Sequence, residues 1–409
     1  MCNHSSRAKS SVELADIFNL YGHSYTEKYR LSIEQHKAIN AICNCRTSVL
    51  GGNIRRCSCC GIELISYNSC RNRHCPKCQA LAKARWLDTR SAELLPIEYF
   101  HVVFTIPHEL NLLAGYNQAI IYNILFKSAW IAIEALGKDK KRLGGLMGML
   151  AALHTWGQNL SQHIHLHCII PGGALDEQDQ DQKWISCRPG FLFPVRVISK
   201  IFRGTFVKLL RKAYQNNELK LQGVVADLSD QEVFTGLLDK LMAKEWCVYS
   251  KKPFNGAKGA VDYLAKYVYK TAISNNRISS CDDGKVAFDW RDYSDNNKIK
   301  LMKLDAHEFI RRFLTHVLPS GFIRIRSFGF LANSCKKKKL QEILKLLNQA
   351  PKTTKDLPSP KKESIKELMI RLMGIDIDLC PKCKSGRLRT IKSLPNFKDL
   401  QYNKYWDTS

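Results

Sequence analysis

Between residues 97 and 335, hydrophobic residues recur with two different periods, every two residues or every three to four. The two-residue alternation typical of half-buried strands occurs at 99–107 and in the histidine run 163–170, and residues 144–156 and 246–250 are also interpreted as strands. Apolar residues spaced three and four apart predict amphipathic helices at 109–136, 194–214, 229–246, 259–274 and 305–319. Residues 285–304 are typical of a hairpin around an Asp/Asn turn. Strands that alternate with helices predict one central domain of the α/β or α+β class.

Composition divides the rest of the chain. A polar N-terminal segment (1–30) is expected to be loosely ordered with one helix, and a cysteine-rich module (31–93) precedes the central domain (97–350). A Pro/Lys-rich linker (351–363) then leads to a basic C-terminal tail (364–409) that contains a CPKC sequence. The organisation therefore predicts a small module, a larger domain and a short tail.

The net charge narrows the choice of partner. The 409 residues include 63 Lys+Arg and 37 Asp+Glu, which gives a net charge of +26. Such an excess predicts attraction to polyanions, nucleic acid before an anionic membrane. No apolar run approaches the roughly 20 residues of a membrane span, and the start lacks the apolar segment of a signal peptide. We expect a soluble, cytoplasmic protein without a membrane partner.

Clustered cysteines predict zinc. Nine of the 16 cysteines fall within the first 78 residues, and a cytoplasmic chain with CxxC spacing favours metal over disulfides. The two pairs Cys57/Cys60 and Cys75/Cys78 are separated by 14 residues and predict one tetrahedral Zn²⁺ site.

Other cysteines near this module leave alternatives open. Cys45, Cys70 and His74 form a partial second set whose fourth ligand is not evident, with His36 as one option. The late CxxC pair, Cys380/Cys383, either completes a site with distant residues or binds nothing. Three basic residues of the module are expected to contact DNA phosphates, although a solvated basic surface is the alternative: Arg71, Arg73 and Lys77.

Three histidines alternate in the apolar run HIHLHCII. On a strand, His163, His165 and His167 share one face, and the apolar residues between them share the other. Imidazole is the commonest side-chain metal ligand. The alternatives are a catalytic cation site and histidines that only hydrogen-bond within the fold.

A helix with two tyrosines supplies a second constellation. At about 100° per residue, one stripe of 259–274 is apolar and forms the core face: Val261, Leu264, Ala265, Val268 and Ala272. The opposite face carries Tyr263, Lys266, Tyr267 and Lys270, and Tyr269 lies at its margin. By itself this could be a surface stripe without a function. A tyrosine with cations beside it can attack a phosphodiester that a metal polarises, which gives a phosphotyrosyl bond and a free 3′-hydroxyl.

At this point the chain resembles a known family. His-hydrophobe-His with Tyr-x-x-x-Tyr resembles the HUH endonucleases, and four segments resemble the rolling-circle insertion-sequence transposases of the ninety-one family: SYNSCRNRHCPKCQ, HTWGQNLSQHIHLHCIIPGG, YLAKYVYKTAISNNR and EFIRRFLTHVLPSGFIRIRSFGFLAN. The similarity runs from about residue 31 to 390. It implies an α+β fold in which a zinc-binding domain precedes an antiparallel HUH sheet with flanking helices.

The resemblance also implies site residues and partners. The metal histidines of the family correspond to His165 and His167, with Gln158, His163 or His154 as the third ligand of a Mg²⁺ or Mn²⁺ ion. Tyr267 and then Tyr263 are the implied nucleophiles, beside Lys266 and Lys270.

The implied function is that of a bacterial, nucleoid-associated DNA transposase. It nicks a single-stranded, melted or hairpin element end and transfers the strand to a target, and its oligomeric state stays open. The rival interpretations are a plasmid replication initiator or relaxase and a zinc-finger protein that binds DNA without cutting it.

Overall fold

The computed structural model describes residues 12–177, 182–251, 256–347 and 363–396. The predicted linker lies outside these ranges except for its last residue. The helices are α1 Leu14–Lys28, α2 Ile33–Cys43, α3 Gln79–Ser91, α4 Asn111–Tyr116, α5 Gln118–Lys138, α6 Val195–Gln215, α7 Gln231–Ala243, α8 Gly256–Val268, α9 Ala306–Thr315, α10 Lys336–Leu346 and α11 Ile365–Met373. The strands are β1 Gly52–Cys57, β2 Glu63–Tyr67, β3 Tyr99–Thr105, β4 Gly148–Trp156, β5 Gln162–Pro171, β6 Gly173–Asp176, β7 Lys183–Ser186, β8 Val248–Lys251, β9 Ile278–Asp282, β10 Lys285–Asp292, β11 Lys298–Asp305, β12 Ile325–Gly329 and β13 Leu388–Leu394.

An antiparallel sheet organises the central domain. Its strand order is β12-β4-β5-β3-β8, so the histidine strand β5 lies in the middle. The α+β class with an antiparallel sheet is confirmed. A middle strand has neighbours on both edges, which fixes its register and therefore the direction of its side chains.

The two faces of this sheet have different partners. Ile164, Leu166 and Cys168 are buried in a core that includes residues of α5, α6 and α7. On the opposite face, apolar residues of β4 and β5 pack with Leu264 and Val268 of α8. Since α8 also contacts β3, it lies across the face that carries the histidines.

The helix α5 is long and apolar enough by length and composition to cross a membrane. In the fold it packs against α6 and contacts β4 and β5, and Tyr122, Leu125 and Phe126 are fully buried. Its apolar character is therefore used in the core of the domain.

Residues 12–30 of the N-terminal segment are more ordered than predicted. From Val12 onward the chain leads into α1, whose residues Leu14 and Ile17 are fully buried. Phe18 makes an edge-to-face contact with Phe313 of α9 at a centroid distance of 5.5 Å. The helix α1 is ordered because its apolar side chains are buried by elements distant in sequence.

The predicted hairpin is formed by β10 and β11, and β9 extends it to a three-stranded sheet beside the same core.

Strand β13 of the C-terminal tail is part of the sheet of the N-terminal module. Strand β13 pairs antiparallel with β1, from Gly52 opposite Leu394 to Cys57 opposite Leu388, in a sheet of order β13-β1-β2. The predicted division between module and tail is therefore absent from the fold, since β13 completes the module's sheet.

Candidate active site and cysteine clusters

Three histidines meet on one face of the central sheet. His154 on β4 lies opposite His165 on β5, and His167 follows one alternation later. Nε2 of His165 is 3.3 Å from Nδ1 of His154 and 3.1 Å from Nε2 of His167. One ligand nitrogen from each ring lies within 4.8 Å of the others. The antiparallel register thus adds a histidine that the alternation in β5 does not contain.

The environment keeps these imidazoles neutral. Burial lowers the pKa of His165 to about 3, and burial followed by the charges of neighbouring histidines also lowers the pKa values of His154 and His167. Nδ1 of His165 lies 2.8 Å from the carbonyl oxygen of His163, so it carries the proton and Nε2 keeps its lone pair. Nε2 of His154 is buried without a hydrogen-bond partner. Converging neutral nitrogens form a donor set that fits a divalent cation.

The other two predicted candidates for the third ligand lie outside the converging set of ring nitrogens, although the ring of His163 is 4.6 Å from that of His165. Gln158 lies in the turn after β4, and its amide donates to the hydroxyl of Tyr293 at 3.1 Å. The side chain of His163 is exposed near the start of β5. Of the three candidates, the structure therefore places His154 with His165 and His167.

His101 on β3 is a site residue that sequence reasoning missed. Its Nε2 lies 3.0 Å from Nδ1 of His167, and the two rings are stacked at 5.2 Å. When Nδ1 of His167 donates to Nε2 of His101, Nε2 of His167 keeps its lone pair and is free to bind a metal. The only sequence signal is a histidine in the predicted strand 99–107. It identifies a site residue only once the pairing of β3 with β5 is known, because that pairing brings His101 to His167.

The tyrosine face of α8 lies over the histidines. The predicted core stripe is buried, and Tyr267 stacks on His167 with centroids 3.8 Å apart and an interplanar angle of 25°. Its hydroxyl donates to that of Tyr263 at 2.8 Å. Tyr263 also contacts the ring of His101 edge-on at 4.7 Å. Both tyrosines therefore contact the histidine cluster, and they are not surface residues that point only to solvent.

Tyr267 is a weak acid in this environment. Burial, and then the hydrogen bond with Tyr263, raise the pKa of Tyr267 above its usual value. A protonated phenol is a poor nucleophile, so a nucleophilic role for this hydroxyl would require positive charge beside it.

Lys270 differs from expectation, because the helix ends before it. The helix was predicted to continue to Ser274, but α8 ends at Val268, where the Arg324 guanidinium donates to the Val268 carbonyl. Lys270 therefore follows the helix and does not continue its face. Burial and the neighbouring histidines are the main causes of the lowered pKa values of His154 and His167, and the charge of Lys270 adds to them, which indicates that Lys270 lies near the site. The side chain of Lys266 lies outside the described residues.

Lys270 also lines a cavity of about 370 Å³ between α3 and the end of α8. Lys83 and Arg277 contribute two further cations to its wall. Tyr269, which the helical pattern placed at the margin, lines the same cavity and contacts Trp86 edge-on at 6.2 Å. The cavity thus combines basic and aromatic groups beside the tyrosine helix.

The cysteines assemble differently from the predicted single site. Cys75 and Cys78 meet Cys45 and Cys70, whereas Cys57 and Cys60 meet the late pair Cys380 and Cys383. The predicted set of Cys57, Cys60, Cys75 and Cys78 around one ion does not occur, because β1 and β2 carry the two CxxC motifs to different ends of the module.

His74 and His36 are not ligands of the first cluster, whose fourth position is taken by a cysteine. Within that cluster, Sγ of Cys78 is 3.4 Å from Sγ of Cys45 and 3.6 Å from Sγ of Cys70. His74 is surrounded by cations, and burial followed by the charges of Arg324 and Arg73 lowers its pKa to about 3.

The three predicted DNA contacts are in different situations. Arg73 donates to the carbonyl of Phe322 at 2.8 Å, and Lys77 forms an ion pair with Glu13. Arg71, in contrast, is exposed, with a left-handed φ of 54°. Two of these cations therefore stabilise the fold, and Arg71 is the one directed to solvent.

The comparisons with known proteins agree with this arrangement. A family model described as "Putative transposase" matches residues 148–339, and one described as "Transposase zinc-binding domain" matches residues 17–106. The chain is 41% identical to "Putative transposase y4qJ" of Sinorhizobium fredii over 98% of its own length and all of the relative's. It is 28% identical to "Transposase for insertion sequence element IS801" of Pseudomonas savastanoi pv. phaseolicola, over 75% of its length and 72% of the relative's. No solved structure matches the chain significantly.

The chain belongs to the ninety-one (IS91) family of insertion-sequence transposases and has the family's N-terminal zinc-binding domain. A transposase acts on DNA, which accounts for the net charge of +26.

Proposed function

We propose that this transposase cleaves one DNA strand at an element end with Tyr267 as the first nucleophile. The observation that carries the proposal is the stacking of Tyr267 on His167 within a converging set of three histidines. Tyrosine and histidine belong to different elements, and only the antiparallel register and the packing of α8 bring them together. Neither a regulator that only binds DNA nor a plain zinc finger requires this juxtaposition.

The chemistry conserves the phosphodiester bond energy. The hydroxyl oxygen of Tyr267 attacks phosphorus, the bond to the 3′ oxygen breaks, and the 5′ phosphate stays on the tyrosine. The proton lost by the phenol is balanced by the proton that the departing 3′ oxygen gains. Mg²⁺ or Mn²⁺, when bound, would polarise the scissile phosphate. His154, His165 and His167 are the residues that would hold it, and Lys270 adds positive charge beside them.

Tyr263 is suited to a second transesterification. Its hydroxyl accepts a hydrogen bond from Tyr267, and its side chain is 36% exposed. It can therefore approach the same phosphate position from the open side of the site. With two tyrosines at one site, the DNA strand bound covalently to the first can be transferred to a target end. The second tyrosine can then carry out the transesterification that completes the product.

Single-stranded or locally melted DNA, including hairpin ends, is the proposed substrate. The cavity lined by Lys83, Lys270 and Arg277 offers phosphate contacts, with Tyr269 as an aromatic wall. Tyr293, in the turn between β10 and β11, is 67% exposed and its hydroxyl accepts a hydrogen bond from the amide of Gln158 in the turn after β4. Basic and aromatic groups together are the usual surface for unpaired bases.

The test is a covalent adduct. The full-length protein is incubated with a labelled single-stranded oligonucleotide carrying an element end and Mg²⁺ or Mn²⁺, and the products are separated on a denaturing gel. We expect a shifted protein–DNA species that disappears with protease, and a peptide map that places the DNA on α8. Cleavage without an adduct would indicate hydrolysis, and binding without cleavage would favour a non-catalytic protein.

A further inference from the structure

The second cysteine cluster joins the two ends of the described chain. Cys57 is the last residue of β1 and Cys60 lies in the turn that follows, whereas Cys380 and Cys383 lie in the turn before β13. The four sulfurs lie within 4.8 Å of one another, and all four cysteines are free of disulfides. The zinc-binding family model ends at residue 106, so it contains only the first pair.

The spacing of the sulfurs has the dimensions of a tetrathiolate site. With Zn–S bonds of about 2.3 Å, neighbouring sulfurs of a tetrahedron are roughly 3.8 Å apart. Sγ of Cys57 is 3.7 Å from Sγ of Cys383, and Sγ of Cys60 is 3.8 Å from Sγ of Cys380. A disulfide requires a separation of about 2.05 Å. The cluster thus matches a metal site and not a pair of disulfides.

Backbone amides support the sulfurs as they do in metal-binding turns. The N–H of Cys59 donates to Sγ of Cys57 at 3.4 Å, and the N–H of Gly386 donates to Sγ of Cys383 at 3.3 Å. These donors stabilise thiolate, the form that binds metal. A Cβ on Gly386 would lie 2.4 Å from Sγ of Cys57, so a glycine is required where the two turns approach each other.

Further contacts hold the two turns in register. The N–H of Ser58 donates to the carbonyl of Arg387 at 2.9 Å, and the N–H of Arg387 donates to the hydroxyl of Ser58 at 3.0 Å. Arg55 on β1 pairs with Asp378 and donates to the carbonyl of Leu388 at 2.9 Å. The site is therefore built from both segments and is not a chance approach of surface cysteines.

We propose that Cys57, Cys60, Cys380 and Cys383 form a second structural zinc site that fastens residues 363–396 to the N-terminal zinc-binding domain. Cys60 and Cys380 are 320 residues apart, so this ion closes a loop that contains the whole central domain. The first cluster, in contrast, uses cysteines within the zinc-binding domain alone. The ion is a structural partner of the fold and does not depend on the proposed cleavage chemistry.

The zinc content of the full-length protein tests the proposal. We expect two zinc ions per chain in the wild type and one in the double variant Cys380→Ser/Cys383→Ser, measured by mass spectrometry of the metal after purification with reductant. Cys59→Ser is the matched control, because Cys59 lies in the same turn but outside the cluster, and it should retain two ions. One ion in the wild type, two in the double variant, or a disulfide between the turns in folded protein overturns the proposal.

A second measurement covers the case in which the double variant does not fold. A protease recognition sequence is placed within residues 351–362 of the otherwise unchanged chain, and the protein is cut after folding with zinc. The C-terminal fragment should remain bound through gel filtration and should separate when a zinc chelator is added. A fragment that separates with zinc present, or that stays bound after complete removal of zinc, contradicts the proposed role.

Discussion

The phenol of Tyr267 lies on the imidazole of His167, with the ring centroids 3.8 Å apart and the planes 25° from parallel. The contact joins α8 to the middle strand of the sheet. It fixes the distance between the proposed nucleophile and the nitrogens that would hold a cation. The histidine motif of β5 and the tyrosine motif of α8 therefore form a single site.

Replacement of Tyr267 by Phe should abolish the covalent adduct. The substitution removes the hydroxyl and keeps the ring, so the stacking on His167 and the fold should persist. Adduct formation on a single-stranded end oligonucleotide and thermal unfolding measure the two effects. Tyr269→Phe is the control, because within the described part of the chain Tyr269 makes no ring contact with the three histidines, and the phenyl ring keeps both the Trp86 contact and the aromatic wall of the cavity. A normal adduct in Tyr267→Phe would move the nucleophile elsewhere.

Tyr263→Phe should still cleave once but fail to complete strand transfer. The variant loses the acceptor of the Tyr267 hydrogen bond but keeps the first nucleophile beside His167. A two-oligonucleotide assay separates the cleaved intermediate from the joined product. A peptide map with DNA on Tyr263 in the wild type would exchange the roles of the two tyrosines and leave the mechanism intact.

His165→Ala and His167→Ala should each reduce cleavage by several orders of magnitude while DNA affinity changes little. Both rings belong to the proposed cation site, whereas DNA affinity arises chiefly from phosphate contacts by Lys and Arg. Cleavage rates and gel-shift affinities on the same oligonucleotide give the comparison, and the exposed His23, changed to Ala, is the control. Cleavage at the wild-type rate in either variant would place the metal elsewhere.

His101→Phe should weaken Mn²⁺ binding by about 10–100-fold, the usual effect of losing a partner that orients a metal ligand. The phenyl ring can occupy the same space but cannot hydrogen-bond to Nδ1 of His167. Electron paramagnetic resonance of free Mn²⁺ measures the affinity independently of cleavage. His101→Gln should restore part of the affinity, and an unchanged affinity in His101→Phe would exclude the positioning role.

The fold should lose stability below about pH 6.5, the unperturbed pKa of histidine, and His316 should account for part of the loss. Burial lowers the pKa of His316 to about 4. Its ring contacts the Thr155 hydroxyl and the Leu160 carbonyl. As the pH falls below 6.5, His316 becomes protonated in the unfolded chain but stays neutral in the folded one. The free energy of unfolding therefore decreases by about 1.4 kcal/mol per pH unit, until the folded His316 is also protonated near pH 4.

Urea unfolding midpoints between pH 7 and 4 measure this effect. His316→Asn should be less stable at neutral pH but less sensitive to acid. His23→Asn, with a side chain 87% exposed, should follow the wild-type dependence. If His316→Asn and the wild type lose stability in parallel, the buried ring is not the group that responds to acid.

Local periodicity predicted much of the site. The alternation of His165 and His167 with apolar neighbours is enough to place both rings on one face, and the helical spacing correctly separates Tyr263 and Tyr267 from Val261 and Leu264. These are relationships within one element, where the backbone repeat determines direction.

Local periodicity could not predict which residues of different strands and helices come into contact. His154 and His101 enter the site through strand register, which no single strand specifies. The cysteine pairing failed for the same reason, since CxxC spacing identifies a ligand pair but not the pair it meets. Lys270 was misplaced because α8 ends where Arg324, some 56 residues later, reaches the Val268 carbonyl.

The pairing of β1 with β13 has a consequence for synthesis on the ribosome. Arg55 and Leu388, which hydrogen-bond across this pair, are 333 residues apart. At roughly 5–20 residues per second, about 17–67 s pass between the translation of one strand and that of the other. During this interval β1 can pair only with β2, and its other edge exposes unpaired backbone groups that attract other strands. The zinc-binding domain is thus made before the central domain but is completed after it, and a copy truncated before β13 would keep every proposed catalytic residue yet leave that edge open.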